Sequence, residues 1–77
     1  MKYIRFQGSR AAPIFVEFPD FVEHIAMAEA LRPVLGAVVS AGFVSDSGEC
    51  EGRSESLGVW AGPNDTRIRQ ITMRRVL

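Results

Sequence analysis

Hydrophobic and polar positions alternate along the start of this chain. From Lys2 to Gln7, Ile4 and Phe6 fall on one side and Tyr3, Arg5 and Gln7 on the other, the two-residue period of a half-buried strand. Gly8 to Pro13 is rich in turn formers and reads as a connector. Alternation resumes from Ile14 to Phe18, with Ile14, Val16 and Phe18 set against Phe15 and Glu17, and predicts a second strand hairpinned to the first. Pro19 ends it.

The spacing then lengthens to that of a helix, predicted over residues 20–41. Asp20 and Glu23 have the separation of a capping box, a carboxylate at each end of a reciprocal pair of bonds to orphan N–H groups. Gly42, able to take positive φ, is read as the C-terminal stop, with Phe43 folding back on Val38. At about 100° per residue, Phe21, Ile25, Met27, Ala28, Leu31, Val34, Leu35, Val38 and Val39 share one broad arc, the expected core face. His24 and Arg32 lie towards the edges of that arc. Ala26, Ala30, Pro33, Ala37 and Ala41 line the opposite side, with Glu23, Glu29 and Ser40 among them. Pro33 lacks the N–H that would bond Glu29 and is expected to kink the helix, or else to open a second one as its first residue. A long helix with small apolar residues outside as well as large ones inside is the element around which the chain is organised.

Beyond Gly42, Phe43 to Asp46 predicts a short strand and Ser47-Gly48-Glu49 a turn. Leu57, Val59 and Ala61 alternate with Gly58 and Trp60, so a further strand is expected from about Ser56. Gly62-Pro63-Asn64-Asp65 combines a breaker with an N-cap. The tail is read as a short helix over 64–70 followed by a strand over 71–76, a single helix from Asp65 onwards being the alternative. Helices segregated on one face of a largely antiparallel sheet make an α+β two-layer domain. If the last strand forms, the order approaches a ferredoxin-like βαββαβ arrangement with a split first strand. Its first and last strands would lie side by side and merge the two ends of the chain.

A length of 77 residues supports one domain. Chains this short bury only about 60% of their unfolded surface. A hydrophobic content of 47% is therefore more than one small core needs, and favours self-association. Formal net charge is zero, but basic residues collect at the two ends and acids in the middle. The single cysteine, Cys50, excludes an internal disulfide and a cysteine-based zinc site, which suits a reducing compartment. No secretory leader is apparent at the start, and charge or proline interrupts every apolar run before it reaches membrane-spanning length. A cytoplasmic, membrane-free protein is expected.

Candidate chemistry is sparse. His24, with Asp20 four residues before it, lacks the further ligands or nucleophile that a metal or acid–base site needs, and is read as a boundary histidine bonded to Asp20 or to backbone. Gly52-Arg53-Ser54-Glu55-Ser56 imitates a nucleophile elbow but has serine for the last glycine and no room for the sheet that elbow requires. Cys50 lies between Glu49 and Glu51, whose charge opposes thiolate formation. Lys2, Arg5, Arg67, Arg69, Arg74 and Arg75, with Tyr3 beside them, could hold a nucleic-acid backbone, though nucleic-acid modules are usually clearly basic overall. No phosphate loop or paired-carboxylate site occurs, and no cofactor is expected.

These features together predict a non-enzymatic interaction or regulatory module that self-associates, most simply as a homodimer, through Ala26, Ala30, Pro33, Ala37 and Ala41. A nucleic-acid-binding module using the basic ends is one alternative. A small-molecule sensor, or an enzyme with an intersubunit site, is the other.

Overall fold

The computed structural model describes residues 1–8 and 14–76, the side chains of residues 75 and 76 excepted. Strands β1 (Lys2–Phe6) and β2 (Ile14–Phe18) pair antiparallel as the alternation predicts, Ile4 opposite Val16. Helix α1 (His24–Leu35) follows, and leads into β3 (Val38–Val44), which pairs antiparallel with the other edge of β1. A two-residue β4 (Cys50–Glu51) extends the sheet to the order β2-β1-β3-β4. Strands β5 (Arg53–Ser54) and β6 (Val59–Trp60) form a separate small hairpin, and α2 (Asp65–Val76) ends the chain. The class is α+β with an antiparallel sheet, as expected.

Successive residues of β1 face opposite sides of the sheet. Ile4 and Phe6 join Phe18, Ala41 and Ala28 of α1 in the buried core, with Met27, Leu31 and Leu35 packed against it. Tyr3 and Arg5 face the other way and meet Asp65, the first residue of α2. The two helices therefore contact opposite faces of the sheet, whereas the sequence suggested one.

The helix of residues 20–41 proves to be a shorter helix and a strand. Val22 N–H donates to the Pro19 carbonyl (3.1 Å), so Asp20 and Phe21 sit in a turn and α1 begins only at His24. Glu23 makes no capping bond; Ser56 Oγ, from a distant loop, accepts from the Ile25 N–H (3.2 Å) instead. Asp20 pairs with the N-terminal ammonium at 3.1 Å. The helix stops at Gly36, which has φ of 85° and donates its N–H to the Arg32 carbonyl. Pro33 thus lies in the last turn of α1, where it marks the end instead of bending the middle of a long rod. Val38 and Val39, β-branched and stiff at χ1, enter β3. Gly42 is needed for closeness, not for positive φ: a Cβ there would lie 2.5 Å from the Glu51 carbonyl oxygen and 3.3 Å from Tyr3 Cε1.

The C-terminal segment is the single helix of the alternative reading, so the ferredoxin-like order with a final strand does not form. Alternation over 71–76 is incidental, since Ile71 and Met73 are both exposed and not sealed into a core. Anchors to the sheet select helix instead: Thr66 Oγ1 accepts from the Cys50 N–H (3.0 Å), and Arg69 grips Glu17 of β2.

Candidate interaction surfaces

The inward side of α1 is narrower than the predicted arc, comprising His24, Met27, Ala28, Leu31 and Leu35. Val34 points away from the core and is 78% exposed, and Ile25 is also exposed. Ala26, Ala30 and Pro33 are exposed, and with Val34 they form one stripe, since positions four, seven and eight apart share a helix face. Ala37 is exposed in the turn between α1 and β3. Ala41 is not part of that surface, because β3 carries it into the core opposite Ile4. Phe21, in the turn before α1, is 86% exposed.

Among the described residues, the basic side chains Lys2, Arg5, Arg67, Arg69 and Arg74 do not form one patch. Lys2 is 9% exposed and donates its ammonium to the Val22 carbonyl (2.9 Å). Arg5 reaches Asp65 at 3.5 Å, and Arg69 holds both carboxylate oxygens of Glu17 at 2.8 and 3.3 Å. Arg67 and Arg74 are exposed along α2, lining a shallow surface depression with Asn64, Gln70 and Ile71. The side chain of Arg75 lies outside the described residues.

Between the sheet and α2 lies a polar layer that sequence reasoning missed. Asp65 is fully buried; its carboxylate accepts from the Tyr3 hydroxyl, from the Gly62 N–H (2.8 Å) and from Arg5. Tyr3 stacks on Phe15 across the hairpin at 4.7 Å. Burial above all, then the hydrogen bond and negative charge of Asp65, pushes the Tyr3 phenol well above its ordinary range. The same two causes raise the Cys50 thiol to about 11, burial first and Asp65 second. Cys50 is therefore a protonated, unreactive thiol at neutral pH, as expected, but Asp65 contributes where Glu49 and Glu51 were named. The Gly-Pro-Asn-Asp turn signalled a helix start, yet nothing local identifies a partner 62 positions away.

His24 is 3% exposed, and its Nε2–H donates to the Gly42 carbonyl (2.9 Å), the backbone partner that was one of its two expected acceptors. Phe18 and Phe43 meet the ring edge-on, each at 5.5 Å. The histidine borders an open cleft of about 250 Å³ with Lys2, Glu23, Phe43, Arg53 and Glu55. Beside it, Arg53 lies over the exposed Trp60 ring at 5.3 Å. Among the described residues no group of three or more His, Cys, Asp or Glu side chains is placed to hold a metal. No helix among the described residues is long and apolar enough to cross a membrane.

These features define a small antiparallel α+β domain in which buried Lys2 and His24 bond backbone carbonyls and buried Asp65 accepts from Tyr3 and Gly62. No known protein family, curated protein or solved structure matches the chain.

Proposed function

We propose that this chain is a non-enzymatic interaction module that self-associates, most simply as a homodimer, through the outward stripe of α1. The observation that carries the reading is the stripe of Ala26, Ala30, Pro33 and Val34, which is exposed and apolar where a solvated helix carries Lys and Glu. Small side chains let another backbone approach closely, and a covered Val34 would contribute about 1.5 kcal/mol or more per copy.

The nucleic-acid alternative draws less support, because Arg5 and Arg69 are committed to Asp65 and Glu17 and Lys2 is buried. Sedimentation equilibrium from low to high micromolar concentration tests the leading reading. The weight-average mass is expected to rise above one chain, and Val34→Glu to lower it. A mass of one chain throughout refutes the proposal.

A further inference from the structure

We propose that the free edge of β2 pairs with β2 of a second copy, joining the two sheets about a two-fold axis at Val16. The inference rests on the reading that the chain self-associates, but it concerns a different surface from α1.

The backbone directions follow from one bond. Val44 N–H donates to the Met1 carbonyl (2.8 Å), so the odd-numbered groups of β1 face β3 and the even-numbered ones face β2. Lys2, Ile4 and Phe6 consequently bond Phe18, Val16 and Ile14. The N–H and C=O groups of Phe15 and Glu17 point outwards from the last strand of the sheet, and none of the described residues pairs with them there.

That edge is complementary to itself. The sequence Pro13-Ile14-Phe15-Val16-Glu17-Phe18-Pro19 is nearly symmetric about Val16. In an antiparallel pair with Phe15 opposite Glu17, both residues of each copy exchange N–H and C=O bonds, and the two Val16 residues meet at the close, unbonded position. A slip of two residues one way sets Phe15 opposite Pro19, and proline has no N–H to give. Pro19 therefore disfavours that slipped register.

Side chains fit the same arrangement. Ile14, Val16 and Phe18 would extend the core cluster towards the same residues of the second copy in reverse order. On the opposite face Phe15 would lie beside the second copy's Glu17, whose charge Arg69 already holds. A two-fold axis normal to the sheet keeps both α1 helices on one face and both α2 helices on the other.

The test uses the full chain with an N-methyl group on Phe15, assembled by chemical ligation at Cys50. The weight-average mass at high micromolar concentration is expected to fall, and Val34→Glu together with the methyl group to leave one chain. In the unmodified protein, the Phe15 and Glu17 amides are expected to exchange with deuterium at least tenfold more slowly at high than at low concentration. That second measurement decides the matter should the methylated chain fail to fold. Equal exchange at both concentrations in a protein that does associate overturns the edge proposal and leaves the α1 reading standing. A loss of mass on methylation with none from Val34→Glu supports the edge and overturns the α1 stripe. A single-chain mass at every concentration overturns both.

Discussion

Tyr3→Phe removes one oxygen atom and tests what holds α2 to the sheet. The ring, its stacking on Phe15 and the volume of the site are retained. The loss is one donor to a fully buried carboxylate, which keeps the Gly62 N–H at 2.8 Å and the more distant Arg5 at 3.5 Å. Hydrogen bonds to charged groups contribute about 1.5–3 kcal/mol, and the Gly62 and Arg5 donors that remain keep the loss near the middle of that range. We expect a destabilisation of about 2 kcal/mol. Domains of this size have roughly 4–12 kcal/mol in all, so the fraction lost is large. The melting temperature should fall by roughly 8–16 °C. Urea unfolding at pH 7, followed by circular dichroism, measures the change directly. Hydrogen exchange on the variant should show α2 amides opening before those of β1. A change below about 0.5 kcal/mol would mean that the Tyr3–Asp65 bond does not secure α2, and the reasoning would fail.

Further expectations follow from other contacts. Stability should fall as pH rises past about 9 to 10: Cys50 and Tyr3 are raised from ordinary values of 9.0 and 10.0, so the unfolded chain loses those protons first. Tyr3→Phe should flatten part of that alkaline slope, and an equal slope in both proteins would contradict the assignment. Gly42→Ala should destabilise by about 2–3 kcal/mol, since its Cβ meets backbone that cannot move aside; a folded variant of wild-type stability would refute the close packing of β3 on β4. Arg69→Ala, by contrast, breaks an ion pair about one-fifth exposed on each side and should cost about 1 kcal/mol or less in thermal unfolding. A larger loss would show that Arg69, not Tyr3, is the main anchor of α2.

The elements with a strict local period were legible: β1, β2 and the antiparallel α+β class came directly from alternation. The long helix did not, because glycine carries two meanings that sequence cannot separate. Gly36 has the positive φ attributed to Gly42, while Gly42 is required for lack of space. The capping-box spacing of Asp20 and Glu23 was likewise overridden, the α1 cap coming from Ser56 on a remote loop. Of the surface expected for association, Ala26, Ala30 and Pro33 lie where the helical wheel put them, and Ala41 is lost to the core with the helix boundary. Pairings such as Tyr3 with Asp65 and Glu17 with Arg69 had no local trace, for they join residues on separate elements 62 and 52 positions apart.

The strand that comes first in the chain occupies the middle of the sheet, and this governs how the protein can be assembled. During synthesis β1 emerges before its partners: one flank stays empty until residues 38–44 arrive, and its polar side stays unsatisfied until residue 65 does. An early hairpin of β1 and β2 is only marginally stable alone. Commitment to the native state must therefore await residues 38–65, making folding a collective event and slower than in a helical bundle of similar length.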